Sequence, residues 1–507
     1  MTAVLKRKKT IFKEGRSPRP RNYVSFPIPT DQDIQFIKQQ MLTWAVPFNI
    51  CCFLDNHSYH HSSSAHSVEC LLAAGAVEIV TASAGDAFDR LREWADARQD
   101  WLFGHFAYDL AQETEPVHGA AGQQGEGGLG RVPGSGESAD PIGFPDLLFF
   151  VPKVVIELSQ ATVRIGSFGM DQEAIWEQIR RVIPAGGEDV DGGVDMTVGK
   201  DMTAREDATG GERGAGRRGE ASDSSGWAPP AFTSRFTREE YLAAVVALQE
   251  HILRGDCYEV NFCQEFFSRD AVINPLSAWF SLSEASPNPF AAFYRVDSSY
   301  LLCASPERFL KKTGDELVSQ PIKGTAPRML QDPDADLLQH DRLYNSPKDR
   351  SENVMVVDLV RNDLSRVCVP GTVGVSELFG VYPFPQVHQM ISSVTGRLLP
   401  GLDWTEAIRV TFPMGSMTGA PKNKVVELIA RYERSRRGIF SGAVGYVTPN
   451  RDFDFNVVIR SLMYNSGTRY LSYQVGSGIT FYSDPAAEYE ECLVKAEGIR
   501  KALEIIA

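Results

Sequence analysis

Two spacings of apolar residues take turns along the second half of the chain. Tyr241, Val245, Leu248 and Ile252 recur at intervals of three and four, behind Thr237-Arg238-Glu239-Glu240 and ahead of Gly255. A capping box, a single apolar face and a terminating glycine together predict a helix. Residues 257–268 change to alternation, with Tyr258, Val260, Phe262, Gln264 and Phe266 on one side, and predict a strand. Further strands are expected at 300–303, 442–447, 453–463 and 470–475. Asp484-Pro485 announces a closing helix, an N-cap acid followed by proline at the first helical position. Its apolar face would be Tyr489, Leu493, Ala496, Leu503 and Ile506. Helices fall irregularly between the strands, without the strict alternation of a doubly wound nucleotide fold. The pattern predicts an α+β fold of antiparallel sheets with helices outside.

Two stretches break these rhythms. Residues 119–140 hold eight glycines and residues 185–230 hold eleven, with few large apolar side chains. Such segments bury too little surface to offset their ordering entropy and are expected to be mobile insertions. They divide the chain into a basic, disordered tail (1–25), an N-terminal region (26–184), a linker (185–230) and a catalytic part (231–507). Eight Lys or Arg and one acid lie between Met1 and Arg21, with no apolar stretch after them, so a secretory signal is not expected.

Composition narrows the class. The chain has 507 residues, 43% of them hydrophobic and 23% charged, as a globular protein with a sizeable core requires. A net charge of -14 argues against a nucleic-acid coat protein, and the basic tail lacks the interleaved aromatics of a nucleic-acid arm. The most apolar stretch, residues 144–158, is interrupted by Asp146 and Lys153, so no membrane span is expected. Eight cysteines without a C-x-x-C pair indicate reduced thiols, as in a cytoplasmic protein.

Candidate chemistry sits in four places. On the closing helix, Asp484, Glu488, Glu491 and Lys495 share one stripe, and Asp349 and Glu352 repeat the three-residue spacing before the nearly continuous apolar run 354–360, which predicts a helix buried nearly all round. Two helices offering such pairs could hold Mg²⁺, which prefers few carboxylates plus waters and substrate oxygens; ordinary solvated helix charge would look the same. Upstream, Gly476-Ser477-Gly478 could bring backbone amides close to an anion. Lys323, between Ile322 and Gly324 in a short strand bounded by Pro321, is either a surface lysine or a desolvated amine. Burial would lower its pKa and make it a nucleophile, with Glu307 as a general acid if its surroundings keep it protonated. Gly415-Ser416-Met417-Thr418-Gly419-Ala420-Pro421-Lys422 lacks the spacing of a phosphate loop, although Lys422 and Lys424 at a helix start could assist a carboxylate. His388 and Arg460 complete the candidates.

Taken in order, GDCYEVNFCQ (255–264), SPERF (305–309), QPIKGTAPR (320–328), ENVMVVDLVRNDLSRV (352–367), VHQMISSVTG (387–396), GSMTGAPK (415–422), SGAVGY (441–446), VVIRS (457–461) and DPAAEYEECLVKA (484–496) resemble the chorismate-utilising enzymes. The resemblance covers 232–507, with a fainter trace at 101–115. It is strongest to aminodeoxychorismate synthase component I, then to anthranilate synthase component I. It implies two packed antiparallel sheets flanked by helices, with the active site in the cleft between them. It also implies Mg²⁺ on Glu352 and Glu491, with Asp349 and Glu488 nearby. Gly324, Thr325, Arg460, Gly476, Ser477, Gly478 and Lys495 would hold the chorismate dianion, and His388 stands where the family has an active-site histidine.

Lys323 separates the subfamilies, because anthranilate synthases typically carry alanine there. In the lysine-bearing enzymes the amine is thought to attack C2 of chorismate while the C4 hydroxyl leaves, assisted by an acid at the position of Glu307. Ammonia then adds at C4 and expels the lysine. The expected activity is therefore C4 amination, toward para-aminobenzoate and folate, with anthranilate synthesis or a non-catalytic ligand-binding relative as alternatives. Water-using relatives carry a base at the position of Glu259, where amine-using ones usually have glutamine, and the sequence leaves Glu259 without a role. No cysteine stands in a glutaminase setting, so ammonia is expected from a separate glutamine amidotransferase subunit.

Overall fold

The computed structural model describes residues 21–29, 32–59, 68–115, 140–184 and 230–504. The predicted mobile insertions, Asp140 and Pro230 apart, and the tail before Arg21 lie outside the described residues. The capping box forms as predicted: Thr237 and Glu240 bond each other's backbone N–H at the start of the helix Arg238–Leu253. The alternating segment becomes the strand Glu259–Ser268.

Strand pairing is continuous, so that among the described residues twenty strands join one antiparallel network. It is folded into two layers by long strands that bend. In Val68–Ala82 and Leu147–Ser159 the register shifts between Ala76 and Glu78, beside Gly75 at φ 65°. One end of the pair joins Ile50–Asp55, and the other joins Leu102–Phe106. The chain crosses between layers twice more, from Ser299–Ser305 to Arg308–Thr313 and from Phe453–Asn456 to Ser461–Asn465. These two crossings run side by side, with Val457 N–H donating to Glu307 O at 3.0 Å and Ala304 N–H to Arg460 O at 3.2 Å.

Burial follows the layers. Along Ser299–Ser305, Leu301 and Cys303 face one core while Leu302 and Ala304 face the other. The first core fills the space between the layers and extends beneath Pro347–Ser365 and Trp404–Thr411. The second lies under Ile34–Ala45, Arg238–Leu253, Pro275–Ala285 and Pro485–Glu504. Helices outside two packed layers are the α+β arrangement that the sequence predicts. Among the described residues no helix is long and apolar enough to cross a membrane.

Four local expectations change. The predicted strand 453–463 is broken, because residues 457–460 carry the crossing and Arg460 takes φ 52°. Residues 22–25, assigned to a disordered tail, belong to the strand Asn22–Pro27 paired with Thr162–Ser167, and Arg21 bonds Asp100 at 3.0 Å. The N-terminal region is not a separate unit: Ile50–Asp55 pairs with Phe290–Val296, and both regions fill both cores. The helix Pro347–Ser365 is not buried all round, since Val354 is exposed while Val356, Val357 and Val360 are buried.

A buried ion pair ties the strand Glu259–Ser268 to the Gly415–Met417 turn. The Arg437 guanidinium bonds Glu433 at 2.7 Å, Met417 O at 2.7 Å and Asn261 O at 2.8 Å, and Glu433 accepts the Cys263 N–H at 2.8 Å. Removing the cation leaves a buried carboxylate alone, which typically costs about 3–5 kcal/mol. Arg437→Ala is therefore expected to lower the stability of the fold by about that amount, measured as the shift in the urea unfolding midpoint at constant slope.

Candidate active site

Two helix starts face each other across the site. Ser346 caps Pro347–Ser365 by accepting the Asp349 N–H at 3.3 Å, and Asp484 caps Pro485–Glu504 by accepting the Ala487 N–H at 2.8 Å. Each first turn or the next presents its acid pair, Asp349 with Glu352 and Glu488 with Glu491. Helix N-termini favour acids at such positions. All four carboxylates act on Lys348, an exposed lysine whose ammonium they stabilise. The sequence did not mark Lys348, yet it is the cation on which both pairs converge.

The carboxylates are not equivalent. Burial pushes Glu352 up to about 7, against Lys323 and Lys348, while Glu259 and Asp349 reinforce the rise. Glu491 is only half-buried, and Lys495 at 2.6 Å holds it below the usual carboxylate range. Glu352 retains a proton near neutrality because its neighbouring cations do not fully offset the desolvation of its charge. Among the described residues no three His, Cys, Asp or Glu side chains converge as a metal cage. The donor set, two oxygen ligands with acids behind them, fits a hard cation that takes few protein ligands.

Lys323 stands on Ile322–Pro327 and donates to Glu259 Oε1 at 2.6 Å, with both side chains largely buried. Its surroundings reverse the expected pKa. Burial alone would lower it, but Glu259, Glu352 and Glu307 raise it above the ordinary lysine value. The resting side chain is thus an ammonium and not the neutral amine that burial alone predicts. The missed partner is Glu259, 64 residues away in sequence. Its signal was positional: in an alternating strand it faces opposite to Val260 and Phe262.

Glycines let these groups approach. A Cβ on Gly478 would lie 2.5 Å from Glu259 Oε1 and 2.9 Å from Lys323 Nζ. Gly324, at φ 96°, would place one 2.9 Å from Asp349 Cβ. The Gly476 carbonyl accepts from Lys495 Nζ at 2.9 Å, away from the neighbouring strand, and beyond Tyr473 that edge of Tyr470–Ile479 has no partner strand among the described residues. Ser477 turns the other way, its hydroxyl buried 3.5 Å from Tyr241 Oη. Any ligand contact from Ser477 must therefore come from its backbone.

Glu307 occupies the first layer crossing and is 4% exposed. Burial pushes its carboxyl up to about 7, against the effects of Ser416 and Lys323. Arg460 occupies the adjacent crossing. Burial lowers its pKa, with Glu491 opposing, and no hydrogen bond or ion pair engages its guanidinium among the described residues. Thr325 is exposed and pairs in register with Gln389. His388, beside Ala326, bonds Asp336 at 3.1 Å and keeps a buried Nδ1 without a partner, so its own bonds lie outside the Lys323 group. Lys422 is buried in an ion pair with Asp363 at 2.6 Å and Lys424 bonds Glu427 at 2.9 Å, so neither is free to assist a substrate carboxylate.

The ammonium of Lys323, the guanidinium of Arg460, the near-neutral acid Glu307 and the carboxylates of the two helix starts supply the charges and the proton donor that binding a small anion and moving a proton require. Residues 51–501 match the model of the chorismate binding enzyme family, and the chain belongs to that family. Aminodeoxychorismate synthase component 1 from Klebsiella aerogenes is 43% identical over 274 residues, which are 54% of this chain and 60% of that protein. The protein of the same name from Escherichia coli K12 is 42% identical over 271 residues, 54% and 59% of the two chains. The matched part thus spans about three fifths of those relatives. Anthranilate synthase component I from Streptococcus pneumoniae shares the fold at a TM-score of 0.65 and 23% identity, over 87% of this chain and 94% of that one. The menaquinone-specific isochorismate synthase from Escherichia coli does so at 0.65 and 16%, over 96% and 95%.

The raised Glu307 pKa links stability to pH. The folded carboxyl keeps its proton to about pH 7, whereas the unfolded one releases it near 4.5. The folded state therefore has its full advantage below 4.5 and loses it as pH rises to 7. Relative to Glu307→Gln, the wild type is expected to lose about 3 kcal/mol over that interval, measured by denaturant unfolding of both proteins at a series of pH values.

Proposed function

We propose that this chain aminates chorismate at C4, giving 4-amino-4-deoxychorismate on the route to para-aminobenzoate and folate. The observation that carries the reading is Lys323 bonded to Glu259 within electrostatic reach of Glu307, an acid poised at about 7. The identity with aminodeoxychorismate synthase component 1 proteins supports it. Arg460 and Lys495 would neutralise the substrate's carboxylates, and the free edge at Gly476 and Gly478 lets the ligand lie against the backbone. Glu352 and Glu491 would hold Mg²⁺, which supplies a positive anchor for a chorismate carboxylate.

In the first half-reaction the Lys323 nitrogen bonds to C2. The electron pair displaced through the ring diene breaks the C4–O bond, and Glu307 gives the departing hydroxyl its proton, so water leaves. In the second, ammonia bonds to C4, the electron pair returns through the ring, and the C2–N bond to Lys323 breaks. Glu307 accepts a proton from the incoming nitrogen. Ammonia would come from a separate glutamine amidotransferase subunit, a division consistent with relatives called component 1.

Incubation of the purified chain with chorismate, Mg²⁺ and ammonium is expected to yield a non-aromatic aminated product that only an added lyase converts to para-aminobenzoate. Fluorescent anthranilate with pyruvate release would establish the ortho reaction instead. Lys323→Ala is expected to reduce C4 amination by about a hundredfold or more while chorismate binding, read by titration calorimetry, persists.

A further inference from the structure

A lysine that attacks carbon must first lose a proton, and Lys323 starts as an ammonium. Three carboxyl groups act on it, from Glu259, Glu352 and Glu307. Glu307 has to be protonated to release the hydroxyl as water, so it cannot take that proton in the same step. Glu352 also faces Lys348. Glu259 remains. Its Oε1 lies 2.6 Å from Nζ, the distance of a charge-assisted hydrogen bond along which a proton transfers without diffusion.

The surroundings of Glu259 fix it for this task. Glu259 is 2% exposed. Its strand is paired on both sides, to Gly419–Ala420 and to Tyr470–Ile479, and a Cβ on Gly419 would strike Glu259 O at 2.0 Å. Two residues on, Asn261 Nδ2 bonds Ser416 O at 2.9 Å and Asn261 O accepts from Arg437. The carboxylate is thus mounted on rigid backbone, as proton transfer at a defined atom requires. A glutamine in its place could accept the same hydrogen bond but could not take the proton.

We infer that Glu259 is a catalytic residue, the base that takes the Lys323 proton before attack on the substrate and returns it when the lysine is expelled. This rests on the reading of Lys323 as nucleophile. The balance closes: Lys323 ammonium and Glu259 carboxylate become amine and carboxylic acid, the amine's lone pair forms the C–N bond, and Glu307 supplies the proton for water. When ammonia has displaced the lysine, Glu307 recovers its proton from the new amine and Lys323 recovers its own from Glu259.

The test follows the covalent step directly. The full chain is mixed with chorismate and Mg²⁺ without ammonium, quenched at intervals, and the mass of the Lys323 peptide is followed. Calorimetry reports chorismate affinity in parallel. Wild type is expected to accumulate the adduct, and Glu259→Gln to form it about a hundredfold more slowly with affinity changed less than about threefold. Glu259→Asp, which keeps the base on a shorter stem, is expected to fall between. Adduct formation in Glu259→Gln at the wild-type rate overturns the inference, and so does loss of chorismate binding in both variants, which would make Glu259 a binding residue. If wild type itself forms no adduct, the nucleophile reading fails first and the role of Glu259 falls with it.

Discussion

The ion pair between Lys323 and Glu259 is the constraint around which the site is arranged. A buried ammonium and carboxylate must each be compensated, and at 2.6 Å they compensate each other. The pair requires bare backbone at Gly478, because any Cβ there would collide with both groups. It also accounts for an amine that is buried yet charged. Replacing Glu259 by a neutral residue would leave the ammonium among the more distant Glu352 and Glu307, whose own protonation would then have to change.

The folded sheet is what brings these partners together. Glu259 and Gly478 belong to strands of one layer, Lys323 belongs to the other, and Glu307 and Arg460 sit where the chain passes between them. A site at layer crossings combines rigid backbone with side chains that need no flat-sheet alternation. The left-handed φ of Arg460 belongs to this geometry: it turns the residue out of the strand pattern that both flanking segments follow. The acid pairs arrive independently, on helices whose capped starts fix them opposite one another. Lys348 is within electrostatic reach of all four acids.

Much of this was legible in the chain. Helical spacing places Glu352 with Asp349 and Glu491 with Glu488 on shared faces, and the caps at Asp484 and Thr237 locate helix starts because capping is local chemistry. The two-layer fold with helices outside was legible from the irregular order of the elements and from the family resemblance. The charge state of Lys323 was not. Its immediate neighbours, Ile322 and Gly324, indicate burial, whereas its protonation is set by a carboxylate that only tertiary structure brings near. The break at 457–460 was hidden for a similar reason, since Val457, Val458 and Ile459 read as strand whether the chain continues or crosses. Ser477 shows the converse limit: a motif marks three consecutive residues, but strand alternation lets only two of their side-chain positions face the ligand.

The protonation state of one side chain decides the account most directly. Lysines labelled with ¹⁵N, with Lys323 assigned by comparison with Lys323→Ala, can be titrated by NMR through alkaline pH. The account predicts that the Lys323 signal keeps its ammonium shift beyond the ordinary lysine midpoint of 10.5. A midpoint near neutrality would show a free amine at rest, and the central role given to Glu259 would be contradicted.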